Sequence, residues 1–189
     1  MRLWIPFLLL TAASTSLFGQ SAEFSLSGGR SQLSGSSSDL GGGYSLDNGF
    51  SMAGRLTLNS QLFFGHEVGY AYNRTHLKLQ GADQGGMAIH QGFYNFLVYA
   101  TKEGSRIRPY ATGGVHFSNF VPPGSSATQG GGSTKFGINY GAGLKVKVTN
   151  RYQARVDYRQ YLSGKPFDLP GASGKLRQNV VTIGLTFTL

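Results

Sequence analysis

At 189 residues the chain has room for one domain and a leader. With 29 Gly, 13 Phe and 10 Tyr but only 13% charged residues, it is too apolar and aromatic for a disordered chain; it also sustains no 3.6-residue periodicity, which leaves an all-β fold. The absence of Cys excludes a disulfide framework, a thiolate zinc site and a cysteine nucleophile, and the net charge of +9 is scattered rather than run together, as suits lipid phosphate or internal ion pairs better than nucleic acid.

The chain opens on "MRLWIPFLLLTAASTSLFG". Arg2, an apolar run from Leu3 to Leu10 and small polar residues after it have the form of a secretory signal peptide. The run falls short of the ~18 residues a spanning helix needs. Cleavage is expected after Gly19, or else after Ala22, making residues 1–19 a cleaved leader and 20–189 the mature domain.

Eight stretches then read as strands: 22–31, 49–58, 62–73, 88–100, 106–118, 135–148, 152–162 and 179–189. Tight connections near Asn59-Ser60, Lys102–Ser105 and Asn150 alternate with four long ones rich in Gly, Ser and Pro, one of them running from Arg74 to Met87. Strict alternation of short and long connections describes an up-and-down meander with its tight turns and both termini at one end, as in outer-membrane barrels. The Gly and Ser of the long loops predict that they are mobile.

The stretch "LKVKVTNRYQARVDYRQY" poses the question of which face meets water. Leu144, Val146, Tyr152, Val156 and Tyr158 share one side, and Lys145, Lys147, Arg155, Asp157 and Arg159 the other. A three-residue turn at Asn150 sets Val148 against Tyr152, and thereby Lys145 against Arg155, Gly143 against Asp157 and Gly141 against Arg159. Pairing Leu58 with Leu62 likewise sets Arg55 against Gly65, with Glu67 diagonal to it. Large charged side chains opposite glycines suit the interior of an eight-stranded barrel, which is only just wide enough to be filled. Arg55, Glu67, Lys145, Lys147, Arg155, Asp157 and Arg159 are therefore expected in the lumen as a structural network that acts as a plug. An aromatic set including Phe50, Phe64, Tyr70, Tyr94, Tyr140 and Phe187 is expected outside, facing lipid, and His66 fits there only near an interface.

The final "TIGLTFTL" alternates to its end, and closure of the last strand on the first would leave no apolar edge. "RIRPYATGGVHF" followed by "FGINYGAGLKVKVTNRYQARVDYRQY" resembles the fifth to seventh strands of the OmpA-like family of small outer-membrane β-barrel proteins of Gram-negative bacteria. The resemblance covers roughly 22–189. It implies an eight-stranded antiparallel transmembrane barrel in the cell outer membrane with periplasmic termini. Its implied partners are outer-membrane lipid, lipopolysaccharide and the barrel-assembly machinery; no ligand for the loops is implied. Thr182, Gly184, Phe187 and Leu189 are similar to the C-terminal signal which that machinery reads, with Leu189 where the final aromatic usually stands.

Two alternatives belong to other classes. "VHFSNF" places His116 and Ser118 on one strand face and resembles the His-x-Ser-Asn string of the outer-membrane lipid A deacylases, which implies an esterase. In that family the string lies on the penultimate strand, whereas here it lies on the fifth, and no carboxylate partner can be named for His116. A secreted lipocalin-like carrier would instead hold an apolar ligand and turn its charges to water. The four His show no metal-ligand spacing, "GASGK" at 171–175 lacks the flanking residues of a phosphate loop, and neither a cofactor nor a metal is expected.

Overall fold

The computed structural model describes residues 21–33, 38–60, 62–126 and 132–189. The expected leader, residues 1–19, lies outside the described residues. Ten strands follow in chain order: β1 Ser21–Leu33, β2 Asp39–Gly41, β3 Tyr44–Leu46, β4 Gly49–Ser60, β5 Phe64–Leu79, β6 Ala82–Tyr99, β7 Ile107–Val121, β8 Ser133–Lys147, β9 Tyr152–Gly164 and β10 Lys175–Thr188. Eight of them, without β2 and β3, form an antiparallel meander. It closes where β10 pairs with β1, from Glu23↔Thr188 to Leu33↔Gln178, so neither end strand leaves an open edge.

Side chains alternate across the wall as the pleat requires. On β9, Arg155, Asp157, Arg159 and Tyr161 are buried, while Tyr152, Val156 and Tyr158 are exposed. The same alternation turns Phe24, Leu26, Phe50, Met52, Tyr70, Tyr94, Val115, Ile138 and Ile183 outward. An apolar outer wall around a charged interior excludes the lipocalin-like carrier, whose polarity is the reverse.

The tight-turn end sets the strand register. At β8–β9, Thr149 Oγ1 accepts from the N–H groups of Arg151 and Tyr152 (3.2 and 3.1 Å), and the Val148 N–H bonds the Tyr152 carbonyl at 2.9 Å. The pairs are Lys145↔Arg155, Gly143↔Asp157 and Gly141↔Arg159, as the three-residue turn requires. The β4–β5 hairpin differs from the sequence-based register by four residues, with Arg55 opposite Gly69 and Leu58 opposite His66. Leu62 and Phe63 are not the start of a strand but part of the turn. Their carbonyls accept from Glu103 and Tyr99 (3.1 and 2.8 Å), which ties this turn to the next. Because the shift is even, no side chain changes face.

At the opposite end, the described residues of the Gly- and Ser-rich connections carry regular structure. The stretch from Arg74 to Met87 is strand over most of its length, a hairpin extending β5 and β6 to a two-residue turn at Gln80-Gly81. Both turn residues have positive φ (49° and 88°), the type I′ geometry whose twist matches the strands it joins. In the first long loop, β2 and β3 form a small ladder, and β3 pairs with β5 from Tyr44↔Leu79 to Leu46↔Leu77. The last long loop carries a 3₁₀ turn at Pro166–Asp168, and the Gly42 N–H donates to the Pro170 carbonyl at 3.0 Å. These two loops bring Leu40, Leu46, Tyr44, Phe167 and Leu169 onto Leu33, Leu77, Met87, Ile89, Phe120 and Leu176. The barrel interior is therefore polar for most of its length but closes at the long-loop end with an apolar stopper.

Candidate functional site: the charged lumen

Six of the seven charged residues expected inside are at most 2% exposed: Arg55, Glu67, Lys145, Arg155, Asp157 and Arg159. Lys147, half-buried at the tight-turn rim, stands apart from them and lines a small vestibule with Glu103, Arg108 and Gln153. Two more buried charges, Glu23 and Arg108, join the set. Glu23 alternates with Ser25 and Ser27 against the outward Phe24 and Leu26, so its inward position is readable from β1. Arg108 likewise alternates with Tyr110 on β7.

The charges form two groups. In the middle of the barrel, Arg155 donates from Nε and Nη2 to Asp157 (2.7 and 2.9 Å), and its Nη1 lies 2.8 Å from Glu67. Arg159 Nη2 bonds Glu67 Oε1 at 2.6 Å and lies 3.4 Å from Asp157. Arg55 lies 3.9 Å from Asp157 and 4.0 Å from Glu67, and its Nη1 donates to Ser27 Oγ. Three guanidinium groups thus share two carboxylates. Thr57 Oγ1 donates to Glu67 at 3.2 Å, and the Tyr110 hydroxyl donates to Asp157. The second group lies nearer the tight turns. There Lys145 pairs with Glu23 and bonds the Tyr99 hydroxyl at 2.9 Å, Arg108 stacks 3.7 Å above the Tyr99 ring, and Gln153 Nε2 donates to Glu23 at 3.2 Å.

The glycines explain how these groups meet. Tyr110, Gly143 and Asp157 lie in one row across β7, β8 and β9. A Cβ on Gly143 would overlap the Tyr110 hydroxyl, so the bare backbone of β8 is the floor over which the phenol reaches Asp157. Gly69 serves β5 in the same way, lying beneath the ring of Phe93, which packs 5.3 Å from the Arg159 guanidinium.

His116 and Ser118 both face the lumen, buried, on β7. Ser118 Oγ accepts from Gln91 Nε2 at 2.9 Å, within a polar layer that also contains Asn73, Gln178 and Ser31. His116 lies edge-on to Tyr161 with ring centroids 5.1 Å apart, and neither ring nitrogen has a hydrogen-bond partner among the described residues. A hydroxyl held by a glutamine, and an imidazole touching neither that hydroxyl nor a carboxylate, do not make a nucleophile and base. No three His, Cys, Asp or Glu side chains come together as a metal site among the described residues. Two buried, unpartnered nitrogens cost stability, so His116→Phe is expected to stabilise the barrel by about 1 kcal/mol. Urea titration of the refolded protein measures this, and a destabilised variant would show that the imidazole has polar partners.

On the outer wall, His66 sits two residues from the start of β5, where its Nδ1 meets the Tyr94 hydroxyl at 2.7 Å and its ring packs edge-on to Phe96. At the C-terminus, Gly184 faces Ser27 of β1, Phe187 packs edge-on to Tyr152 with ring centroids 5.1 Å apart, and the Leu189 N–H bonds the Ala22 carbonyl at 2.9 Å.

A closed eight-stranded barrel with lipid-type residues outside and paired charges inside matches one family over nearly its whole length. The family described as "Outer membrane protein beta-barrel domain" fits residues 5–188. The chain belongs to this family. No curated protein matches it. Among solved structures it is similar to Neisserial surface protein A (NspA), with 15% identity, a TM-score of 0.61, and coverage of 90% of this chain and 97% of that one. It is similar to the outer membrane protein OprG of Pseudomonas aeruginosa, with 14% identity, a TM-score of 0.59, and the same coverage. The N-terminal β-barrel domain of OprF, also from P. aeruginosa, matches with 16% identity and a TM-score of 0.56 over 89% of this chain and 97% of that one. At these identities the likeness is one of fold. The family match places the protein in the outer membrane as an integral barrel.

Proposed function

We propose that this outer-membrane barrel is a non-enzymatic, structural and surface-interacting protein rather than a pore or an esterase. The observation that carries this reading is the lumen itself. Eight charged side chains from six strands meet in it with the rings of Phe93, Tyr99 and Tyr110, and the long-loop end adds an apolar stopper. Wide aqueous channels need about sixteen strands. The long-loop end faces the outside and the tight turns, with both ends of the barrel, face the periplasm, as the short-turn, long-loop pattern of such barrels supports. Gly184, Phe187 and Leu189 act as the assembly signal, and the barrel's immediate partners are outer-membrane lipid, lipopolysaccharide and the assembly machinery.

The chain contains no Cys, so single cysteines report orientation directly. Ser173 is exposed in the last long loop and Lys102 in a tight turn. In intact cells a membrane-impermeant maleimide is expected to label Ser173→Cys and to reach Lys102→Cys only after the outer membrane is permeabilised. The opposite pattern would overturn the orientation. Sustained ion conductance of the purified barrel in planar bilayers would overturn the plugged-lumen role.

A further inference from the structure

On β1, β4 and β5 the outward face carries no Lys, Arg, Asp or Glu from the tight turns up to a single row near the long-loop end. That row is Arg30, Phe50 and Arg74, directly opposite one another across the three strands. Neighbouring strands lie roughly 4.8 Å apart, so the two arginines stand roughly 10 Å apart at Cα with Phe50 between them. They line a cleft of about 390 Å³ with Asn48, Gly49 and His76. Neither guanidinium has an ion pair or side-chain hydrogen bond among the described residues. The Arg74 guanidinium lies across Gly86, where a Cβ would come within 2.8 Å of its Nη2. The Asn48 side-chain oxygen accepts from the Leu33 N–H at 3.0 Å, which leaves its NH₂ group to donate. Among the described residues no carboxylate lines the cleft, and nearby Asp47 and Asp83 are held by Lys78 and His76 at 2.7 and 3.0 Å.

Below this row the same strands form an apolar trough of about 670 Å³. Gly28, two residues beneath Arg30, and Gly54, beneath Phe50, are its low points, and Leu26, Met52, Tyr72 and Ile183 are its sides. A donor-rich cationic cleft one outward row above a membrane-facing apolar groove has the shape and polarity of one amphiphile. We propose that Arg30, Arg74 and Asn48 bind the phosphate of a membrane phospholipid or phosphoglycolipid, with an acyl chain of that lipid lying over Gly28 and Gly54. Guanidinium–phosphate contacts are charge-assisted and can be bidentate, and Phe50 supplies an interfacial aromatic surface between them. The outer leaflet as the lipid's source rests on the orientation proposed above; the site itself does not.

The trough allows a test that leaves the barrel intact. A Cβ on Gly28 has no neighbour nearer than 3.9 Å, and one on Gly54 none nearer than 3.7 Å, so larger side chains there fill the groove without disturbing the wall. Detergent-folded barrel is mixed with diphosphoryl lipid A, with the same lipid dephosphorylated, or with inorganic phosphate, and retained adducts are measured by native mass spectrometry. The phosphorylated lipid is expected to be retained. Arg30→Gln/Arg74→Gln and, separately, Gly28→Leu/Gly54→Leu are each expected to weaken it ~10-fold or more, the loss of one to two charge-assisted contacts, while the heat-dependent gel shift of the folded barrel persists. Equal retention of the dephosphorylated lipid, undiminished binding by either double variant, or saturation by inorganic phosphate alone would overturn the proposal. Maleimide labelling of Ser173→Cys from the periplasmic side would instead overturn only the orientation and assign the lipid to the inner leaflet.

Discussion

Asp157→Leu is expected to destabilise the folded barrel by about 3–5 kcal/mol, the range for removing one partner of a buried ion pair. Asp157 accepts two hydrogen bonds from Arg155 and one from Tyr110, and it lies 3.4 Å from Arg159 and 3.9 Å from Arg55. Without it, Glu67 alone would face three guanidinium groups in a lumen from which bulk water is excluded. Leucine fills similar space but returns no acceptor, so the loss is electrostatic rather than one of packing. The midpoint of reversible urea unfolding in phospholipid vesicles, supported by the temperature at which the compact gel band is lost, measures the effect. Asp157→Asn keeps an acceptor for Tyr110 and should fall between the two. A midpoint unchanged in Asp157→Leu would mean that the three arginines are hydrated, and the lumen would then be a water path rather than a plug. Arg155→Met combined with Asp157→Leu should recover much of the loss, because a pair removed together leaves fewer stranded charges than one removed singly.

The network was legible to different degrees along the chain, for physical reasons. Lys145, Arg155, Asp157 and Arg159 were readable because both strands of their hairpin alternate cleanly and Thr149 closes the turn in three residues. Arg55 and Glu67 were assigned to the right face in the wrong register, because Leu62 and Phe63 continue the apolar pattern of a strand while serving as a turn. Around the hairpin tip, from Lys78 to Gly86, no side chain is buried on either face, so the period of two fades there and a paired hairpin reads as a loop. The apolar stopper was not legible at all. Leu40 and Phe167 lie on separate loops, each with few apolar residues, and only closure of the barrel brings them together. His116 was readable as inward from strand parity, but its isolation from Ser118 emerges only when Gln91 of the neighbouring strand takes the hydroxyl.

The glycine row supports a second large prediction, which separates filling of the lumen from strand propensity. Gly143→Val is expected to cost about 3–5 kcal/mol, although Val favours strands more than Gly does. Its side chain would occupy the space of the Tyr110 phenol, with its Cβ also 2.7 Å from the Val156 carbonyl oxygen, adding an overpacking cost of about 1–3 kcal/mol to the loss of a charge-assisted hydrogen bond worth about 1.5–3 kcal/mol. The control lies on the adjacent strand. Gly113 of β7 faces outward, and the nearest atom to a Cβ there is the Asn139 carbonyl oxygen at 3.9 Å. Gly113→Val should therefore be neutral or stabilising in the same vesicle assay. Equal effects at the two positions would assign the glycines to backbone flexibility. If clearance for Tyr110 is the main cause, Gly143→Val and Tyr110→Ala must be strongly non-additive, because the second substitution vacates most of the volume that the first one needs and leaves only the contact with the Val156 carbonyl. A double variant more stable than Gly143→Val alone is the expected result. A double variant whose loss equals the sum of the two single losses would show that Gly143 and Tyr110 do not share that space, and the bare backbone of β8 would then need another explanation.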